Sequence, residues 1–156
     1  MQQPMHVKAL GASDAQALRQ MLGLFGKAFD DLPTYASNQP DDAYLTDLLT
    51  RDTFVAIGAY VGGALVGGLT AYVLPKFEQK RAELYIYDLA VEEEYRRGGI
   101  ATAMIEQLKR FATSRRIYII FVQADRGDEA AICLYTKLGQ REDVMHFDIR
   151  PSKGAA

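Results

Sequence analysis

The chain has 156 residues, the length of one ordinary domain. Apolar residues make up 49% and charged residues 24%, with a net charge of −2, which argues against a polycation that binds nucleic acid non-specifically. The single cysteine, Cys133, excludes an internal disulfide and a thiolate metal cage. No apolar run reaches the roughly 18–20 residues of a membrane span, and the first residues lack a signal-peptide pattern. We therefore expect one cytoplasmic domain over residues 1–156.

The first third of the chain predicts a strand and two helices. Residues 5–10 are typical of a short strand. Ser13 is the expected N-cap of a helix that runs to about Phe29, because apolar residues recur there at three- and four-residue steps. The residues Pro40-Asp41-Asp42 predict the start of a second, shorter helix.

The central part of the chain predicts three antiparallel strands. Residues 53–60 and 65–74 are both rich in β-forming residues, and Gly62-Gly63 between them indicates a hairpin. Residues 83–91 alternate and are rich in Tyr, Ile and Leu, which favours a third long strand in the same sheet.

The last third predicts two helices and two strands. One helix is expected from near Gly99 to about Ser114, and another over residues 128–138, ended by Gly139 as a C-terminal cap. The apolar run 117–122 is typical of a buried strand, and residues 144–149 predict a closing strand. The element order predicts an α/β fold with a mixed, mostly antiparallel central sheet flanked by helices and one parallel crossover.

The junction after the third long strand predicts an anion site. Backbone N–H groups at a helix start have no internal partner, and together with the helix dipole they favour a phosphate or pyrophosphate. Gly98 and Gly99 allow close approach to a ligand, and Arg96 and Arg97 add positive charge. Neither a dinucleotide fingerprint nor a Walker loop is present. A solvated arginine pair beside a helix-starting glycine is the simpler alternative.

Three motifs in chain order resemble the GCN5-related N-acetyltransferase superfamily. Residues 96–101, Arg-Arg-Gly-Gly-Ile-Ala, fit its Arg/Gln-x-x-Gly-x-Gly/Ala signature. Leu89-Ala90-Val91 resembles the Leu-x-Val that ends the preceding strand, and residues 134–139 resemble Leu-Tyr-x-Lys-x-Gly. Longer strings over positions 34–149, among them TYASNQPDDAYLTDLL, AYVLPKFEQ and VMHFDI, are similar to class I aminoglycoside 3-N-acetyltransferases. Two departures stand out: Gln140 replaces a usual phenylalanine, and Asp128 replaces a frequent asparagine that contacts the coenzyme arm.

The superfamily resemblance implies direct transfer of an acetyl group from acetyl-coenzyme A to a primary amine in a ternary complex. It implies that Asp88 is the base, directly or through water, and that Tyr135, with an ordinary phenol pKa of about 10, is the acid. The plainer alternatives are an ion pair for Asp88 and simple packing for Tyr135. The residues expected to bind the coenzyme are Leu89, Ala90, Val91, Arg96, Arg97, Gly98, Gly99, Ile100, Ala101 and Thr102.

The acceptor is expected to be cationic, because acidic residues gather around the expected mouth of the site. The residues expected to bind it are Glu83, Asp88, Asp125 and Asp148. The closer resemblance implies acetylation of the 3-amino group of aminoglycosides, and hence antibiotic resistance. Alternatives are another amine, such as a polyamine or a protein N-terminus, and a non-catalytic module that keeps the coenzyme as a ligand. No metal, nucleic acid or membrane is expected as a partner, and analogy favours a homodimer.

Overall fold

A computed structural model describes residues 3–154. The residue contacts divide into two compact units, the first ending at Gln123 and the second beginning at Ala124. Each unit has secondary structure of its own. The single domain predicted over residues 1–156 stays a prediction.

The first unit is built on one five-stranded sheet. Its strands are β1 (Met5–Ala9), β2 (Phe54–Val61), β3 (Ala64–Pro75), β4 (Ala82–Val91) and β5 (Ile117–Val122). Its helices are α1 (Ala15–Ala28), α2 (Leu32–Tyr35), α3 (Asp42–Thr50) and α4 (Ile100–Ser114), with a 3₁₀ turn at Glu93–Tyr95. The strands lie in sequence order, antiparallel from β1 to β4, and β5 pairs parallel with β4. The predicted fold class is confirmed.

Helices α1 and α4 pack on opposite faces of the sheet, where two consecutive glycines of β3 make room for them. A Cβ atom on Gly68 would lie 2.5 Å from Cγ of Met21 on α1. A Cβ atom on Gly67 would lie 3.1 Å from Cγ2 of Ile100 on α4. Successive residues of a strand point to opposite faces, so each glycine admits one helix.

Helix α1 begins later than the sequence predicted. Its N-cap is Asp14 and not Ser13. The Asp14 carboxylate accepts hydrogen bonds from the Gly11 N–H and from the Lys8 ammonium, both at 2.8 Å. These two bonds hold the loop that precedes the helix against the Asp14 carboxylate. The helix therefore begins at Ala15, one residue later than an N-cap at Ser13 would give.

The chain between α1 and α3 contains a one-turn helix, α2, which the sequence patterns did not predict. The Asp31 carboxylate caps it by accepting from the Thr34 N–H at 3.2 Å, and Pro33 occupies its first turn, where proline is well tolerated. Helix α3 follows Asp41 as predicted, and the Asp41 side chain accepts from the Tyr44 N–H at 2.9 Å. Within residues 3–154 no helix is long and apolar enough to span a membrane.

Two strand predictions have different outcomes. The hairpin between β2 and β3 is confirmed, with Gly62 and Gly63 in the left-handed region at φ of 58° and 82°. Strand β5 is present, but the prediction that it is buried is wrong, because Tyr118 and Ile119 are 46% and 47% exposed. It is an edge strand, with β4 as its neighbour in the described sheet.

The second unit contains one helix, α5 (Glu129–Leu138), among its described residues. The Asp128 carboxylate caps it by accepting from the Ala131 N–H at 3.1 Å. The helix ends at Gly139 as predicted, although this glycine is extended and not left-handed. The closing strand predicted at residues 144–149 is wrong: the segment has no regular secondary structure, and its apolar side chains are 69–89% exposed. No other strand lies in the described part of this unit to pair with it.

Candidate active site

Strands β4 and β5 separate partway along their length. Their parallel pairing begins at Ala82 with Ile117 and ends at Ile86 with Val122. Strand β4 continues to pair with β3 as far as Val91. Residues 87–91 therefore border an opening on the β5 side of the described sheet.

Backbone donors point into this opening. The Glu92 N–H donates to the Val66 carbonyl on the β3 side at 2.8 Å. Backbone groups alternate in direction along an antiparallel strand, so the N–H of Ala90 also points toward β3, and those of Leu89 and Val91 point into the opening. The opening can thus present two donors to an extended ligand arm. Ala90, also predicted to bind the coenzyme, packs its side chain in the core under α1, and its part in coenzyme binding stays a prediction.

The start of α4 supplies a second set of free donors. Gly99 caps the helix at φ 81°, and nothing lies within 4 Å of the position of a Cβ atom there. The first intrahelical bond runs from the Ala103 N–H to the Gly99 carbonyl, and the first turn carries no acidic residue. The N–H groups that this leaves free belong to Ile100, Ala101 and Thr102. These features fit the pyrophosphate of a nucleotide-like coenzyme.

The two arginines of the motif differ in their surroundings. Nε of Arg96 donates to the Val91 carbonyl at 3.0 Å, which joins the loop to the end of β4. Arg97 is exposed and has a left-handed backbone with φ of 64°. A cavity of about 240 Å³ lies beside Arg96, between the end of α1 and the end of β4. It is lined by Leu24, Lys27, Ala28, Val91, Glu92, Glu93 and Arg96.

Asp88 lies at the corner where β4 leaves β5. Residues paired across neighbouring strands share a face of the sheet, and two adjacent rows lie on the face that α1 covers. The first row is Ala56, Thr70 and Asp88, and the second is Phe54, Tyr72, Tyr85 and Phe121. Tyr87 is the extra residue of a bulge between the two rows. Asp88 therefore stands between the opening and an aromatic surface.

Two hydroxyl groups hold the Asp88 carboxylate. The Tyr35 hydroxyl donates to Oδ1 at 2.6 Å, and the Thr70 hydroxyl donates to Oδ2 at 3.0 Å. Thr70 is only 6% exposed, so its hydroxyl needs such a partner. No ion pair of Asp88 is present within residues 3–154. Hydroxyl donors, and not the ion pair considered from the sequence, thus satisfy this carboxylate.

Tyrosine rings line the surface beside Asp88. The Tyr87 ring contacts Tyr72 and Tyr85 edge-on, with centroids 5.7 and 5.4 Å apart, and Tyr85 stacks on Phe121 at 4.6 Å. Burial is the main cause of the raised pKa values of Tyr35, Tyr72 and Tyr85, and the charge of Asp88 adds to each. These hydroxyls therefore keep their protons at neutral pH.

The other predicted acceptor residue of the first unit lies elsewhere on β4. Glu83 is near the start of the strand, toward the opposite end from Asp88. Its carboxylate accepts from the Tyr118 hydroxyl at 2.5 Å and lies 3.7 Å from the Lys76 ammonium. The structure does not bring Glu83 to Asp88, and its part in acceptor binding stays a prediction.

The second unit carries the remaining predicted site residues. Burial, with a smaller contribution from the charge of Asp128, raises the pKa of Tyr135 on α5 to about 12. The Asp125 carbonyl accepts from the Asp128 N–H at 3.0 Å, and the Asp148 carboxylate lies 2.8 Å from Nε2 of His146. The roles of Tyr135, Asp125 and Asp148 stay predictions. No group of three His, Cys, Asp or Glu side chains that could hold a metal occurs within residues 3–154.

Sequence reasoning did not find the two partners of Asp88. Neither Tyr35 nor Thr70 is predicted by the sequence patterns as a partner of this carboxylate. The signal for Thr70 was present, since it is the one Ser or Thr within the apolar run of β3. No such signal existed for Tyr35, because 53 residues separate it from Asp88.

Comparison with known proteins places this geometry in a family. The acetyltransferase (GNAT) family model matches residues 19–140. The structure of an aminoglycoside acetyltransferase, HMB0005, from an uncultured soil metagenomic sample has 50% sequence identity and a TM-score of 0.93, covering 96% of this chain and 99% of that one. Another from such a sample, meta-AAC0020 in complex with sisomicin, has 30% identity and a TM-score of 0.87, covering 95% and 97%.

A curated relative is named for a different acceptor, a ribosomal protein. The ribosomal protein bS18 alanine N-acetyltransferase of Escherichia coli strain K12 is 26% identical over 119 residues, which are 76% of this chain and 69% of that protein. The matched family span contains the opening of β4, the start of α4 and all of α5. The chain therefore belongs to the acetyltransferase (GNAT) family.

Proposed function

We propose that this chain is an aminoglycoside 3-N-acetyltransferase. The observation that carries the proposal is the place of Asp88, a carboxylate held by two hydroxyls next to the unpaired N–H groups of Leu89 and Val91. GNAT acetyltransferases use acetyl-CoA. Similarity to aminoglycoside acetyltransferases, one of them in complex with sisomicin, supports the acceptor class. The choice of the 3-amino group rests on the class I resemblance.

Different residues of the first unit are proposed to bind the thioester oxygen, to accept the amine proton and to hold the pyrophosphate. Acetyl-CoA, when bound, supplies the thioester carbon that the acceptor amine attacks. The N–H groups of Leu89 and Val91 would donate to the thioester oxygen, where negative charge develops. Asp88 would accept the proton that the amine loses as the C–N bond forms. The free N–H groups of α4, with Arg96 and Arg97, would hold the pyrophosphate.

Tyr135 remains the proposed donor to the sulfur that leaves when the C–S bond breaks. With a pKa of about 12, it is a weaker acid than an ordinary tyrosine, and much weaker than a thiol with a pKa of about 8.5. Complete proton transfer to the thiolate would therefore be uphill. We accordingly propose that its hydroxyl stabilises the thiolate by a hydrogen bond, and that solvent finally protonates the sulfur.

An aminosugar suits the surroundings of Asp88. A carboxylate beside tyrosine faces attracts an ammonium group through both charge and the ring quadrupole. Glu83, Asp125 and Asp148 are proposed as further acidic contacts. Acetylation removes one positive charge from the drug and so weakens its attraction to RNA phosphates, which would give resistance. The homodimer and the cytoplasmic location stay predictions from the sequence.

A second candidate is acetylation of a protein N-terminus. The similarity to the ribosomal protein alanine acetyltransferase favours it, because that relative is 26% identical over 76% of this chain. The two functions would use the same coenzyme residues and differ in the amine that reaches Asp88.

A panel of amines separates the candidates. Thiol release from acetyl-CoA would be followed with gentamicin, kanamycin, spermidine and a peptide that begins with alanine. We expect rapid release with gentamicin, and NMR of the product should place the acetyl group on the 3-amino nitrogen. Release with only the peptide or spermidine would reject the aminoglycoside proposal. An acetyl group on another ring nitrogen would reject the regiochemistry alone.

A further inference from the structure

We propose that Tyr35 is a positioning residue for acetyl transfer, whose hydroxyl fixes the Asp88 carboxylate in the orientation that receives the amine proton. The inference rests on the proposed function, in which Asp88 is the base. It gives α2, a single turn of helix between α1 and α3, a part in the chemistry.

The carboxylate is held at both of its oxygens. Tyr35 donates to Oδ1 and Thr70 donates to Oδ2, at 2.6 and 3.0 Å. Each carboxylate oxygen has two lone pairs, so one on each oxygen remains for an amine proton or a bridging water. Rotation of the carboxylate would break both bonds. A short hydrogen bond from a hydroxyl to a carboxylate is also among the stronger kinds, so the orientation is well defined.

Tyr35 is itself fixed by the core. Its ring contacts Phe25 edge-on with centroids 6.0 Å apart, and Phe29 with centroids 5.5 Å apart. Phe25 is only 1% exposed. The Asp31 N–H donates to the Gly26 carbonyl at 2.9 Å and ties the start of α2 to α1. The direction of the Tyr35 hydroxyl is therefore set by buried packing.

The hydroxyl acts as a donor throughout the working range of pH. Burial and the hydrogen bond to Asp88 raise the pKa of Tyr35 well above the usual tyrosine range. Loss of this donor would leave the carboxylate tethered at Oδ2 alone and free to turn. Misplaced catalytic groups slow the chemical step, but the residues proposed to bind acetyl-CoA are separate from Tyr35 and would be unaffected.

A double-mutant cycle tests the inference. The variants are Tyr35→Phe, Asp88→Asn and the two combined, with kcat and both KM values measured for gentamicin and acetyl-CoA. We expect Asp88→Asn to lower kcat by about 10²–10⁴. Tyr35→Phe should lower kcat by about 10–100-fold, with the KM for acetyl-CoA unchanged. In the Asp88→Asn background, Tyr35→Phe should change kcat by no more than about twofold, because the Tyr35 hydroxyl acts through the carboxylate that Asp88→Asn has removed.

Two controls accompany the cycle. Tyr60→Phe removes the hydroxyl of another partly buried tyrosine, at the end of β2 beside β1, and should leave kcat unchanged. If Tyr35→Phe does not fold, Thr70→Val and Thr70→Ser examine the same carboxylate from its other oxygen. Valine keeps the shape and removes the donor, so kcat should fall, and serine should restore it.

The outcomes separate this inference from the function on which it rests. No turnover of gentamicin by the wild type, or an Asp88→Asn enzyme with full kcat, contradicts the proposed function. A large effect of Asp88→Asn combined with an equal, independent effect of Tyr35→Phe in both backgrounds overturns the positioning role alone. A kcat that is the same in Tyr35→Phe as in the wild type overturns it as well.

Discussion

Arg97 and Gly99 share a left-handed backbone at the start of α4, but only the glycine adopts it without strain. Their φ angles are 64° and 81°. For a residue with a side chain, this conformation costs roughly 1–2 kcal/mol. Residues with a strained backbone cluster at binding sites, where the position of a side chain can outweigh its cost in folding stability. The strain at Arg97, next to the free N–H groups of α4, fits a loop that places a positive charge beside a bound anion.

Arg97→Gly should therefore have opposite effects on stability and on binding. We expect the free energy of unfolding in urea to rise by about 1 kcal/mol, because the strain is relieved. Acetyl-CoA affinity, measured by calorimetry, should fall about tenfold, because a charge-assisted contact to phosphate is lost.

Arg116→Gly is the matched control for Arg97→Gly. Arg116 also has a positive φ, of 58°, but it lies between α4 and β5, at the opposite end of α4 from Gly99. The same gain in stability with unchanged acetyl-CoA affinity is expected. Equal affinity losses in both variants would contradict a local role for Arg97.

Single residues could be predicted from sequence only where a local pattern marks them. Asp88 was visible as a carboxylate in an apolar strand, and Gly99 as part of a glycine pair before an amphipathic helix. Tyr35 was not, because its role depends on a bond to a residue 53 positions away. Nothing in the sequence around Tyr35 or around Asp88 indicates that these two side chains form a hydrogen bond.

At the scale of elements, the packing of α1 on β3 depends on the absence of a side chain at Gly68. Met21, which is fully buried, occupies the space that a Cβ atom would need. Both Cγ and Sδ of Met21 would lie within 2.9 Å of that atom, which is closer than side chains approach one another. The helix can thus approach the strand more closely than a larger residue would allow.

Gly68→Ala should destabilise the first unit. Overpacking of a filled core costs about 1–3 kcal/mol, and we expect a loss of this size in urea unfolding. Gly23→Ala, within α1, is the control: nothing lies within 4 Å of a Cβ atom there, so the better helix former should stabilise by about 0.5–1 kcal/mol. A gain in stability from Gly68→Ala would show that α1 is not closely packed against β3 at this position.

Local signals also decided which elements were predictable. The Gly62-Gly63 hairpin and the apolar face of α4 need only neighbouring residues, and both were predicted. The helix α2 was not predicted because the run Asp30-Asp31-Leu32-Pro33 is equally typical of a helix stop and of the start of a new capped turn. The closing strand predicted at residues 144–149 was wrong because alternating apolar and polar residues allow a segment to pair in a sheet but do not supply a neighbouring strand.

For the whole molecule, the net charge of −2 is too small to select a cation by its long-range field. In the proposed function, selection of an amine therefore rests on the surroundings of Asp88 and on the further acidic contacts. Another property is shared by both units: partly buried tyrosines that stay protonated. Tyr35 and Tyr135 have the largest upward shifts in pKa.

These tyrosines should make the protein lose stability in alkali. Tyrosine in the unfolded chain has a pKa of about 10, while that of Tyr135 in the folded chain is about 12. Between these values the unfolded chain binds fewer protons, so the free energy of unfolding falls as pH rises. The stabilisation is complete below about pH 10 and is lost through pH 12. Circular dichroism during urea unfolding would measure it.

The control for the alkaline effect removes the ionisable groups themselves. In Tyr35→Phe with Tyr135→Phe, the decline in unfolding free energy above pH 10 should be shallower than in the wild type. An equally steep decline would assign the loss to other groups.

The two glycines of β3 also restrict the order in which substitutions can accumulate. Alanine at position 68 is compatible with α1 only after Met21 has been replaced by a shorter residue, because the reverse order passes through an overpacked chain. At position 67 the restriction is weaker: a Cβ atom would lie 3.1 Å from Ile100 and 3.3 Å from Ala59 and Met104, so small shifts of these neighbours would admit it. The expected order of substitution, helix first and strand second, is therefore stronger at position 68 than at position 67.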